Sequence, residues 1–281
     1  MANELDYQPP ENQPPPAAPA EEDHAEDSAV ERGTVSSLDL RKAPRPPWTG
    51  WDVLLIAITA ALSSFAALAA VFVMRDRGRS LQALASSAWI LVPAQMAGYV
   101  ITFLLMYVLV TRVYRLPFWR GIQWIWPRNP VSAISFALVG VMLAVGLGLL
   151  QRLLPMPQHV PFDRLFTTAA AIHLMAVFGI LVAPFMEELF FRGFLYPVLT
   201  RWGKGMAILA TAMAFAVVHG GQYAWAWSAV LLMFIVGLTL TIARASTGSI
   251  APGFLIHASY NATLFMVMYF ATDHLRHLER L

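Results

Sequence analysis

The sequence predicts an all-α fold, a polytopic membrane helical bundle of about seven transmembrane helices, and three observations carry that reading. Hydrophobic residues make up 58% of the 281 positions and charged residues only 13%. The mean hydropathy is +0.57, above what soluble domains show. The apolar residues also fall into separate runs, most of them close to the ~20 residues that cross a bilayer as a helix.

Residues 1–47 are a different kind of chain, with nine prolines, ten acidic and four basic residues. Too few large apolar groups are present to offset the entropy of ordering, so the segment reads as a disordered, acidic, Pro-rich tail. It carries a net charge of −6, which leaves +8 on residues 48–281. The first apolar run, Trp51–Met74, starts far from Met1 and reads as a retained helix, not a cleaved leader. Ala85–Val110 and Val131–Leu150 follow, which makes residues 48–164 a set of N-terminal transmembrane helices. The fourth run, Thr168–Leu199, is too long for a straight crossing and contains Pro184 and Pro197. Tilt, a break near either proline, or protrusion beyond the bilayer is expected. Gly205–Gly220, which is short, then Ala224–Ala243 and Ile250–Ala271 complete the set, and residues 272–281 form a C-terminal tail.

Loop charge suggests an orientation. Arg41, Lys42 and Arg45 precede the first run; Arg112, Arg115, Arg120 and Arg128 lie between the second and third; Arg201 and Lys204 join the fourth and fifth. These alternate loops are expected in the cytoplasm, with Arg244 in agreement and the Arg75, Arg77, Arg79 cluster against. A multi-pass protein of the cell inner membrane with a cytoplasmic N-terminal tail is the expectation. Phe118, Trp119, Trp124 and Trp126, with Trp225 and Trp227 at the start of the sixth run, read as headgroup anchors. The pairs Ala133/Ala137 and Ala144/Gly148 have the spacing for close helix packing. The absence of cysteine excludes disulfides, thiolate zinc sites and a cysteine nucleophile.

The residues that carry chemistry are the polar ones inside apolar runs, where an ionised group costs several kcal/mol. Glu187, Glu188 and Arg192 lie in the fourth run; Glu188 and Arg192 are four apart, on one helical face and in the favourable order for an ion pair. Glu187 is rotated away and has no local partner. The fifth run ends in Phe215 to His219, and the seventh carries His257 and Asn261 at i and i+4. A turn near Gly203 stands sixteen residues from both Glu187 and His219, so antiparallel helices bring these two level, about 24 Å from the turn. His257 is only about 15 Å from its own turn, a mismatch that tilt or a projecting hairpin must absorb. A carboxylate and an imidazole on one water form a general-base pair, and a histidine with an asparagine amide offers donors to an oxyanion, the machinery of acyl hydrolysis. The alternative is zinc held by Glu187, His219 and His257 with water as fourth ligand, although no H-E-x-x-H spacing occurs.

These residues resemble the motifs of the CPBP family, the CAAX prenyl endopeptidase and bacteriocin-processing (Abi) intramembrane proteases. The resemblance rests on E-E-x-x-x-R at Glu187, Glu188 and Arg192, F-x-x-x-H at Phe215 and His219, H-x-x-x-N at His257 and Asn261, and the Thr247–Pro252 segment. It covers about residues 165–271 and implies a four-helix catalytic core around a buried cavity. Glu187 is then the general base, His219 shares its water, and His257 with Asn261 stabilises the oxyanion. Glu188, Arg192 and Phe215 are read as structural support. No metal and no other cofactor is expected, with zinc as the alternative. The reading is an intramembrane endopeptidase acting near the membrane surface, its partners being membrane lipids and a membrane-associated peptide or protein, not nucleic acid. A non-enzymatic membrane scaffold or an immunity or regulatory protein on the same fold is the alternative.

Overall fold

A computed structural model describes residues 47–75, 80 and 84–275. The expected acidic tail, apart from Pro47, lies outside the described residues, as do Arg77, Arg79 and residues 276–281. Among the described residues no strand occurs, and seven helices are long and apolar enough to cross a membrane. They are α1 Gly50–Met74, α2 Ala88–Val113, α3 Pro130–Gln151, α4 Ala169–Trp202, α5 Lys204–Tyr223, α6 Trp227–Thr247 and α7 Ala251–Ala271. The chain is an all-α, multi-pass integral membrane protein.

Local chemistry sets several of the helix ends. Asn129 caps α3, its side chain accepting from the Ser132 amide at 2.7 Å, with Pro130 as the first helical residue. Thr168 caps α4 through the Ala171 amide at 3.1 Å. Gly203, at φ +106°, makes the reversal between α4 and α5. The sixth helix starts three residues later than Ala224 because Ala224 and Trp225 take left-handed conformations, φ +52° and +59°, that end the preceding turn. It also runs on past Ala243 to Thr247, where Gly248 at φ +71° stops it.

The long fourth helix does not break at its prolines. Instead it contains two π-helical stretches, Phe178–Val182 and Leu189–Leu195, lying just ahead of Pro184 and Pro197. A proline ring clashes with the carbonyl four residues back and has no N–H to offer, and the wider i→i+5 turn relieves both conflicts. The helix stays continuous while its faces shift.

The spans pack as α1 on α2, α5 on α6, and α3 on α7. The α3–α7 approach is closest at Gly140, where a Cβ would run into Ser259 Oγ and the Ile256 carbonyl. Of the small pairs the sequence singles out, Ala144 is buried, but Gly148 is exposed with nothing against it. Gly140 carries the contact instead, because it faces α7 and Gly148 does not.

The segment between α2 and α3 folds back into the bundle. Ile122 is buried, the Ile250 amide donates to the Gln123 carbonyl at 3.1 Å, and Ser249 Oγ donates to the Ile125 carbonyl at 2.6 Å. Arg244 Nε donates to the Arg192 carbonyl at 3.1 Å, and its guanidinium also reaches the Gln123 side-chain oxygen. Trp119, Trp126, Trp225 and Trp227 are exposed, whereas Phe118 is buried and Trp124 packs between Phe185 of α4 and Phe254 of α7 at 5.3 and 5.5 Å. Trp124 is half-buried and acts as a wedge between these helices. It holds together the two helices that carry Glu187 and His257.

Candidate active site

The spacing between the two π stretches fixes which way the paired glutamates point. Glu187 and Glu188 lie at the end of the short α-helical stretch Ala183–Glu188, and the two side chains leave it in different directions. Glu188 is completely buried, while the Glu187 side chain keeps 19% of its surface accessible. A cavity of about 830 Å³ lies in front of Glu187, and His219, His257 and Asn261 share its lining.

Glu187 Oε2 stands 3.8 Å from His219 Nε2 and 3.7 Å from His257 Nε2. It has no hydrogen-bond partner in the protein. Gaps of this size are too long for direct hydrogen bonds, and a water at about 2.8 Å from each heavy atom spans them. The ring nitrogens on the far sides are both engaged. His219 Nδ1 is 2.8 Å from the Phe215 carbonyl, which can only accept, so Nδ1 carries the proton and Nε2 presents a lone pair in the neutral ring. His257 Nδ1 is 3.2 Å from Glu188 Oε1. Its neutral ring is fixed in the same tautomer by a carboxylate.

Glu188 thus has two partners, because the same Oε1 also accepts from Arg192 Nη1 at 2.9 Å. Its other oxygen has none, and rests against Gly253, where a Cβ would come within 2.6 Å. Arg192 is fully buried, donates through Nη2 to the Gly237 carbonyl at 3.0 Å, and lies 4.9 Å from the Phe215 ring centre. Phe215 in turn packs on both imidazoles, 4.4 Å from His219 and 5.7 Å from His257. One buried layer, Glu188, Arg192 and Phe215, thereby touches both histidines.

Asn261 lies on the cavity wall with its amide already committed. Its Nδ2 donates to the Gly179 carbonyl at 2.6 Å. That carbonyl lies in the first π stretch, where the Ala183 amide turns to Phe178 O and residue 184, being proline, has no N–H. Asn261 supplies the missing donor, leaving one amide hydrogen for another acceptor.

Sequence spacing finds the Glu188–Arg192 pair but not the second bond from Glu188 to His257, since these two are 69 positions apart. Proline five residues after Gly179 is the signal that marks an orphaned carbonyl; nothing in the sequence says that Asn261 is what answers it. Despite the unequal spacing from its turn, His257 reaches the level of Glu187, with Nε2 3.7 Å from Oε2.

Residues 167–263 match the family model described as Rce1-like, type II CAAX prenyl endopeptidase. No curated protein and no solved structure matches the chain.

Proposed function

Because residues 167–263 form an Rce1-like type II CAAX prenyl endopeptidase domain of the CPBP family, we propose that this membrane protein is an intramembrane endopeptidase that cleaves a peptide bond with water activated by Glu187. The observation that carries the reading is the convergence of the two Nε2 atoms on the unpartnered Glu187 Oε2, at 3.8 and 3.7 Å, on the wall of the cavity. A water there can pass a proton to Glu187 as it attacks the scissile carbonyl, while His219 holds it through the Nε2 lone pair. The developing oxyanion then needs donors. Asn261 has one free amide hydrogen, and His257 can donate from Nε2 only in its protonated form, in which Glu188 is the counter-ion behind the ring. Protonated Glu187 returns its proton to the leaving amine, and the site is restored.

In this reading the reaction runs without a metal. Zinc on Glu187, His219 and His257 would supply Lewis-acid activation of the water, but among the described residues no group of three or more such side chains is spaced to hold a metal ion. The substrate is a membrane-associated peptide or protein. The loop charges favour a cell inner membrane orientation with the N-terminal tail in the cytoplasm.

The test is cleavage of a membrane peptide library by purified protein. Glu187→Gln keeps the side-chain shape and removes the base, so the variant is expected to fold as wild type and lose 10² to 10⁴-fold in rate. Full cleavage by Glu187→Gln in a protease-free preparation would falsify the mechanism and favour a scaffold or regulatory role. Chelator is expected to leave cleavage intact; loss that stoichiometric zinc restores would select the three-ligand alternative.

A further inference from the structure

The cavity is not built by the family-matched residues alone. Its lining includes Gln95 and Tyr99 of α2, which lie far outside residues 167–263. These two are four apart on one helical face. The other side of α2 at this level, with Met96, Val100 and Ile101, is exposed and apolar. A glutamine amide and a phenol on a membrane-spanning helix therefore face inward to the cavity, although nothing in the helix requires a polar residue there.

Tyr99 is held in place, its ring stacked on Phe178 with 5.8 Å between centres and 13° between planes. Gln95 and Tyr99 line the same cavity as Glu187, His219 and His257. By contrast, Thr102 one turn further along spends its hydroxyl on the Gly98 carbonyl at 2.8 Å. A glutamine amide carries two donors and two acceptor sites, and a phenol can both donate and accept. In surroundings that are mainly apolar, such groups gain from any partner with matching donors and acceptors.

A peptide that enters this cavity for cleavage has the same need. Its backbone must be extended near the scissile bond, and every N–H and C=O removed from water without a partner costs several kcal/mol in a membrane interior. A glutamine side chain is chemically a peptide group, able to donate to one carbonyl and accept from one amide. Taking the endopeptidase reading as its basis, we propose that Gln95 and Tyr99 form a backbone-binding subsite that holds an extended peptide strand against Glu187 from the α2 side. The family-matched domain then supplies the reacting groups and α2 the register of the substrate.

The experiment measures binding, so that it does not depend on turnover. Fluorescein-labelled decapeptide of alternating Ala and Leu is titrated by anisotropy into full-length Glu187→Gln protein in detergent micelles. Adding Gln95→Leu is expected to weaken binding about five-fold, the value of roughly one neutral hydrogen bond, and Tyr99→Phe, which keeps the stacked ring, by a similar factor. The same peptide N-methylated at alternate amides should bind as weakly as the unmodified peptide binds Gln95→Leu, and Gln95→Leu should weaken it little further. Val100→Ala on the exposed side of α2 should bind as the parent does. Equal affinity of the parent and both α2 variants, or strictly additive losses from methylation and Gln95→Leu, would overturn the subsite, as would absence of binding by the parent. If the peptide binds with this pattern but Glu187-containing protein never cleaves it, the subsite stands and the proteolytic reading fails.

Discussion

Arg192 has to be considered with everything it touches. Buried between Glu188, the Gly237 carbonyl and the Phe215 ring, it cannot be removed without leaving an uncompensated carboxylate in low dielectric. Arg192→Ala is expected to destabilise by about 3 to 5 kcal/mol, the usual penalty for breaking a buried pair from one side. Replacing both partners by apolar residues, Glu188→Leu with Arg192→Met, should recover part of the thermal stability in detergent. It should not recover cleavage, because His257 Nδ1 then loses the carboxylate that fixes its tautomer. A double variant with wild-type cleavage would reduce Glu188 to a counter-ion for Arg192. Asn261 is the second residue with two tasks. Asn261→Ala removes the donor to Gly179 and is expected to cost about 1 to 3 kcal/mol as well as oxyanion stabilisation. An unchanged melting temperature would show that the brace contributes nothing.

At the scale of the element, α4 is where sequence reading and structure differ most usefully. Two prolines in a 34-residue helix suggest a break, and the chain instead widens its turns ahead of each. The widening has a price at Gly179, whose carbonyl loses its helical donor because residue 184 is proline. This predicts a specific coupling. Pro184→Ala restores an N–H five residues after Gly179, so it should offset part of the stability lost in Asn261→Ala. The check is a double-mutant cycle on melting temperature in detergent, and simple additivity of the two losses would argue against the shared carbonyl.

At the scale of the whole molecule, the family-matched stretch does not enclose its own site. Residue Gly140 of α3 lies directly against α7, Trp124 wedges Phe185 and Phe254, and residues of α2 line the cavity. A fragment beginning at residue 165 lacks all three. It is expected to insert but to elute as aggregate by size exclusion in detergent, and co-expression with residues 1–164 should restore a monodisperse peak. A monodisperse, cleaving fragment would make the first three spans accessory.

The sequence by itself determines the membrane class, the number of spans, the Glu188–Arg192 pair and the family motifs, because each depends only on run length or on spacing within one turn. Only the tertiary structure decides that Glu188 also holds His257, that Asn261 serves the Gly179 carbonyl 82 positions away, that Trp124 is a wedge, and that Gln95 and Tyr99 line the same cavity as Glu187. The physical reason lies in α4. Each π turn takes one residue more than an α turn, which rotates every later side chain by about 100° relative to a regular helix. Periodicity cannot carry the phase of a face across such a turn, and the partners of Glu187 and Glu188 depend on that phase.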